Sequence, residues 1–407
     1  MLRLYPRFGT MTTFLIRRLL QMFIVTVIAA SCSYGLLYMQ PGGPIDLLLS
    51  EHQNSGANRI DAADIQRIVE RFELDLYVPY RFTRWLVGWP NGPLFGAVGG
   101  DWVVGCTTPG KVRLRYPDGS TQIVEEGCDN TVTLTELVGR KVSRGVVFGD
   151  FGESQVMLRG RPVSELIWSR LPYTLILMGV SVFLAIALGV PLGIYSAVRQ
   201  YSRFDYGMTA VAFIGSSLPS FVFGIFAILI FSILAKQVGL PYLPPGDAVG
   251  VRDYVMPLLG TITAGSFLDR LLRFLMPCGV LTFISLAGWS RFIRSSMIEV
   301  LQQEYIRTAR AKGVQERLVI LKHALRNALI PFVTLLAGVL ATLFGGALIT
   351  ESVFNWPGLG RLLVDALSRN DYNVAMALLI IQVVLLLVGI LITDILYTVV
   401  DPRIRLS

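Results

Sequence analysis

Pro172-Tyr-Thr-Leu-Ile-Leu-Met-Gly-Val-Ser-Val-Phe-Leu-Ala-Ile-Ala-Leu-Gly-Val-Pro-Leu-Gly-Ile-Tyr-Ser-Ala-Val198 runs its whole length without one charged side chain. An apolar stretch of roughly 18 residues or more is long enough to cross a bilayer as a helix. In hydrocarbon every backbone N–H and C=O must find a partner inside the protein, and a helix satisfies them within one segment. The glycines and serines scattered through the stretch let helix backbones approach closely in lipid. Five further blocks share this character, at approximately Phe14–Tyr38, Thr209–Ala235, Pro277–Phe292, Ala328–Thr350 and Val374–Val400. The fourth is the most dilute, carrying Ser285, Gly288, Trp289 and Ser290. The pattern predicts an all-α polytopic membrane protein with six spans. Composition agrees: 53% of residues are hydrophobic and 16% charged, with mean hydropathy +0.59, whereas soluble domains carry about 25% charged residues.

Orientation follows from Lys and Arg, which collect in short cytoplasmic loops. Arg3, Arg7, Arg17 and Arg18 precede or open the first block, and Arg403 and Arg405 follow the last. Between the fourth and fifth blocks, Arg291, Arg294, Arg307, Arg310, Lys312, Arg317, Lys322 and Arg326 outnumber Glu299, Glu304 and Glu316. Both termini and the loop 291–328 are therefore expected inside, and the balanced segment 39–171 outside. The net charge of +8 reflects this topology and calls for no nucleic-acid partner. The first block is expected to be a retained span, because its apolar run continues past Ala29-Ala-Ser-Cys32 to Met39, too far for a signal core.

Three regions are expected along the chain. Residues 1–89 hold the first span and an extracytoplasmic helical segment, with Ile65, Ile68, Val69 and Phe72 at helical spacing. Trp85, Leu86 and Trp89 suit a membrane interface. Residues 90–147 form a β-rich insert: Lys111-Val-Arg-Leu-Arg-Tyr116 alternates, Pro117-Asp-Gly-Ser120 supplies a turn, and Thr121-Gln-Ile-Val124 returns. Residues 148–407 make the five-span core. Cys106 and Cys128 bracket the hairpin on the side where disulfides persist, and a bond between them would contribute roughly 3 kcal/mol. Cys32 and Cys278 read as small residues inside spans.

The histidines, His52 and His323, fall on opposite sides of this topology, so no metal or catalytic site is expected. No lysine precedes Ser or Thr, so the chain has no phosphate-binding loop. It is not expected to be an enzyme or to hold a cofactor. Asp394 is the main charge in the spans; it lies near a cytoplasmic end, facing water or partner groups. That leaves little for a proton-coupled carrier.

The loop between the fourth and fifth blocks carries most information. Glu304-Tyr-Ile-Arg-Thr-Ala-Arg-Ala-Lys-Gly313 reads as a short helix stopped by a glycine that permits a left-handed turn. An amphipathic helix, Gln315 to Asn327, follows, and Pro331 is expected in the first turn of the next span. Helix, glycine and helix on a cytoplasmic face suit a partner's docking groove, although an ordinary positive loop would explain the arginines.

Arg307-Thr308-Ala309-Arg310-Ala311-Lys312-Gly313 resembles the Glu-Ala-Ala-x-x-x-Gly loop of ABC-importer permeases. Arg307 and Thr308 depart from that pattern in the manner of its dipeptide and oligopeptide branch. Glu304, Tyr305 and the stretch from His323 through Arg326 and Asn327 to Pro331 resemble that branch too. So do Glu351-Ser-Val-Phe-Asn-Trp-Pro-Gly-Leu-Gly-Arg361, Gly149–Ser154 with Arg161–Ser164, and Asp394–Arg405. The resemblance implies a type I ABC-importer transmembrane domain in a bacterial or archaeal cytoplasmic membrane. It also implies a second permease, two ATPases binding ATP and Mg²⁺, and an extracytoplasmic peptide-binding protein. Residues 307–313 would couple this chain to an ATPase, by alternating access. Glu351–Arg361 is expected as an external turn, with Phe354 and Trp356 at the interface. A secondary transporter or channel, or a membrane-anchored sensor built on 39–171, are the alternatives.

Overall fold

The computed structural model describes residues 8–39, 73–93, 100–106, 112–115, 121–124, 131–140, 144–154, 156–343 and 347–400. In chain order the elements are α1 (Phe8–Met39), α2 (Val78–Val87), β1 (Val103–Cys106), β2 (Val112–Arg115), β3 (Thr121–Val124), β4 (Thr131–Thr133) and α3 (Leu134–Gly139). Then come α4 (Val163–Val198), α5 (Arg203–Ser217), α6 (Ser220–Ala227), β5 (Tyr254–Met256), β6 (Gly260–Ile262), α7 (Phe267–Leu301) and α8 (Glu304–Ala311). The chain closes with α9 (Leu325–Leu343), α10 (Leu348–Val353), α11 (Leu359–Ser368) and α12 (Tyr372–Val400). They form two compact units, one of residues 1–25, 168–365 and 381–407, the other of 26–167 and 366–380.

Five described helices are long and apolar enough to cross a membrane: Thr13–Leu36, Val163–Val198, Ser220–Gln237, Phe267–Leu301 and Tyr372–Ile395. The helical membrane fold holds, but the six expected blocks are redrawn. α4 starts upstream of Pro172 and carries it inside the helix. The third block is cut at Leu218, where Pro219 leaves the extended backbone before α6; proline disfavours helix for the residue before it. The dilute fourth block is the core of a 35-residue helix, roughly 50 Å long. Ser266 starts it, its hydroxyl accepting the Asp269 N–H at 3.2 Å. The fifth block is described as helix through Leu343, and a separate helix opens at Leu348. Pro331 lies well inside α9 rather than in its first turn, because a π-helical stretch, Val319–Ala324, runs directly into α9.

In the larger unit α7 is central and packs against α5, α6 and α9. The helix crossings are tight where side chains vanish. A Cβ on Gly193 of α4 would meet the Ser290 carbonyl at 2.6 Å, and one on Gly215 of α5 would meet the Ala287 methyl at 2.5 Å. Ala197, Trp289, Ile293, Met297, Ile306 and Phe332 share one apolar cluster there. Cys278 is buried and free, as a core residue should be; Cys32 is also free but exposed on α1. Asp394 is paired with Arg18 at 2.6 Å.

In the smaller unit β1 pairs antiparallel with β4, and β2 with β3 in the register Val112↔Val124 to Arg115↔Thr121. The expected hairpin strands are present; the turn 116–120 lies outside the described residues, as do Ile65, Ile68, Val69 and Phe72. Thr133 and Glu136 close a capping box at α3. Leu76, Val104, Val132, Leu134 and Leu137 form a small core. Trp85 packs on Tyr34 and Phe82, and Trp89 stacks on Tyr80. Trp85 and Trp89 remain half-buried in this packing. Cys106 is disulfide-bonded; Cys128 lies outside the described residues, so the Cys106–Cys128 pairing stays an expectation.

Candidate functional site: a coupling loop and the carboxylates behind it

α7 ends at Leu301, and Gln302 and Gln303 turn the chain by donating their N–H groups to the Glu299 and Val300 carbonyls. α8 begins at once. Ile306, fully buried, anchors it in the apolar cluster of Ile293 and Met297. Glu304, Tyr305, Arg307, Thr308, Arg310, Ala311 and Lys312 are exposed, so the expected coupling residues form an outward face. Ala309 departs from that expectation: it is half-buried and packs against the same cluster. Ala309 stands three residues after Ile306, on the same side of the helix, whereas Thr308 and Ala311 point away from it.

Gly313 has φ +76, a conformation that favours glycine, and it reverses the chain. Arg310 reaches across this reversal to Glu316, with Nη2–Oε1 at 2.7 Å and Nε–Oε2 at 3.1 Å. The contact holds the Glu316 carboxyl below its usual range and raises Arg310 further. Arg307 pairs with Glu304 at 2.9 Å, and the Thr308 hydroxyl donates to the Glu304 carbonyl. Asn327 donates to the Tyr305 hydroxyl at 2.7 Å and to the His323 carbonyl at 3.4 Å. The loop motif and the His323–Pro331 motif therefore meet in space through Tyr305 and Asn327. Arg326 is exposed beside them.

Behind this loop stands a centre that sequence reasoning missed. Asp205, 2% exposed, accepts from Arg294 Nε and Nη2 at 2.5 and 2.8 Å, from the Ser196 hydroxyl, and from the Tyr201 N–H at 2.9 Å. The Arg294 hydrogen bond, opposed by burial, holds the Asp205 carboxyl well below the usual carboxylate range. One carboxylate thus joins the end of α4, the α4–α5 turn and α7. Arg294 was counted only as one of many loop arginines, and Asp205 stood in no motif.

Two more buried acids, Glu351 and Asp371, likewise accept several hydrogen bonds. Glu351, 0% exposed, accepts from the Thr174 hydroxyl at 3.0 Å and the Arg361 N–H at 3.1 Å, and the Gly360 N–H also donates to it. Those N–H groups open α11, where a helix leaves donors unsatisfied. Burial pushes the Glu351 carboxyl up. Phe354 and Trp356 are buried, 1% and 5% exposed, not displayed at an interface; Trp356 Nε1 donates to the Tyr173 carbonyl at 3.1 Å. In the smaller unit Asp371 accepts from the Ser154 hydroxyl and from the Val156 and Met157 N–H groups. No group of three metal-ligating side chains occurs among the described residues.

Residues 189–406 match the family described as binding-protein-dependent transport system inner membrane component. The chain is 45% identical over 260 residues to the oligopeptide transport system permease protein AppB of Bacillus subtilis, covering 64% of this chain and 77% of the relative. It is 40% identical over 271 residues to the dipeptide transport system permease protein DppB of Escherichia coli K12, covering 64% and 78%. It is 40% identical over 262 residues to the glutathione transport system permease protein GsiC of Salmonella choleraesuis, covering 64% and 76%. The loop 304–313 and the helices on either side of it lie inside the matched range, and the protein belongs to the family of inner membrane permease components of binding-protein-dependent ABC importers.

Proposed function

We propose that this permease translocates di- or oligopeptides handed over by an extracytoplasmic binding protein, with α8 as the element that docks on an ATPase subunit. The importer holds this chain, a second related permease and two ATPases that bind ATP and Mg²⁺. Both termini and α8 face the cytoplasm, while the 90–147 insert, with its Cys106–Cys128 bond, faces the binding protein. The observation that carries the docking assignment is the build of α8. It is fastened on one side by Ile306, turned by Gly313, and displays a low ridge of Thr308 and Ala311 on the other side. Peptide cargo is supported by the likeness to oligopeptide and dipeptide transport permeases.

The test substitutes the exposed ridge in the complex reconstituted with its binding protein. Thr308→Trp and Ala311→Trp overpack a close contact, typically costing about 1–3 kcal/mol, and should abolish peptide-stimulated ATP hydrolysis and uptake while the chain stays in the membrane. Arg310→Ala removes only an exposed pair worth ~0–1 kcal/mol and should weaken both modestly. Normal transport by both tryptophan variants would remove α8 as the docking element.

A further inference from the structure

The Asp205 centre lies one short helical segment from α8, and the connection between them is stiff. From Arg294 to Leu301 α7 is unbroken helix. The Gln302–Gln303 turn is closed by backbone hydrogen bonds, and Ile306 sits in the same apolar cluster as Ile293 and Met297. A force on α8 therefore displaces the end of α7 as one body. At Arg294 that body is gripped by Asp205 through two parallel, charge-assisted hydrogen bonds, a geometry that fixes orientation as well as distance. The same carboxylate holds Ser196 at the end of α4 and the Tyr201 N–H in the turn to α5. Asp205 is buried, while the Arg294 side chain is 27% exposed.

We propose that the Asp205–Arg294 pair is the strut that carries motion of the ATPase-docking helix into α4 and α5. Both are positioning residues for coupled transport, and the assignment rests on α8 being the docking helix. A purely structural staple would stabilise the bundle without altering how much peptide moves per ATP. The same helix supplies an internal control of that kind. Near its other end Arg273 pairs with buried Asp269 at 2.7 Å, and that carboxylate also accepts the Gly250 and Gly265 N–H groups.

The experiment compares Asp205→Asn, Arg294→Lys, Arg273→Gln and Thr308→Trp in the full complex with its binding protein, in proteoliposomes supplied with a mixed di-, tri- and tetrapeptide pool. Assembly, ATP hydrolysis and peptide imported per ATP are measured together. Asp205→Asn and Arg294→Lys, which keeps the charge but loses the two-pronged contact, should hydrolyse ATP yet import on the order of tenfold less peptide per ATP. Arg273→Gln should lower assembly or thermal stability and leave peptide per ATP unchanged. Peptide per ATP at the wild-type value in either strut variant would overturn the proposal. Failure of both to assemble while Arg273→Gln assembles would make the pair a folding element and overturn it as well. Wild-type transport by Thr308→Trp would instead remove the docking reading, an outcome visible in its own arm.

Discussion

Asp205 and Glu351 are both buried in the larger unit and both hold a turn in place, but their surroundings differ in kind. Asp205 faces a guanidinium, a hydroxyl and one backbone N–H. Glu351 faces a hydroxyl and the N–H groups at the start of α11, with no ion pair among the described contacts. A positive partner outweighs the cost of burial in the first case, and burial prevails in the second. A chain can thus bury carboxylates in a membrane protein in two ways, and they fail differently. The ion pair fails by losing one member, since the other is then a buried charge without its counterion. The helix-start carboxylate fails by losing its own shape or acceptor atoms, which leaves the Thr174 hydroxyl and the backbone N–H groups of α11 without their partner.

The sharpest test of that contrast is Arg294→Ala, which leaves Asp205 buried without its counterion. It should destabilise the bundle by about 3 kcal/mol, read as a shift in denaturation midpoint in mixed micelles; a loss below that of Glu351→Ala would invert the ranking. Glu351→Ala is next, expected to cost about 1–3 kcal/mol from the donors left unsatisfied, with Glu351→Gln recovering most of it. Gly358→Ala probes the same centre sterically. Its new Cβ would sit 2.3 Å from Glu351 Cδ, and displacing a packed carboxylate should cost about 1–3 kcal/mol, measurable by the same midpoint.

The smallest effects concern pH. Glu351 has its carboxyl raised in the folded chain, so the fold binds that proton more tightly than the unfolded chain does. Stability should rise as pH falls from neutrality through the folded value, and Glu351→Gln should flatten that slope. Asp205 has the opposite sign. Its contribution is present above the ordinary aspartate range and is lost only as pH falls through its depressed folded value. Between pH 5 and 8 the Asp205→Asn variant should therefore show the same slope as the parent. A slope that moves with Asp205 and not with Glu351 would reverse the assignment.

Membrane class, the approximate position of the spans and the helix–glycine build of the loop 304–313 were legible in the primary structure because each is a local property. An uncharged block is apolar whatever packs beside it, and Glu304–Gly313 carries its helix, its glycine stop and its family likeness in ten adjacent residues. The ends of the helices were less legible. Ser266 extends α7, and Pro219 divides α5 from α6, through capping and proline sterics that hydropathy does not register. The carboxylate centres were not legible at all. Asp205 and Arg294 stand 89 residues apart, Thr174 and Glu351 177, Ser154 and Asp371 217. A single charged or hydroxyl side chain looks solvent-bound until helix packing closes around it. Ala309 makes the same point at short range: its motif marks it as part of the docking face, and only the rotation of α8, set by Ile306 in the core, turns it inward. Identity and placement along the chain are sequence properties; which charges meet, and which small residue faces out, were decided by the packing of the bundle.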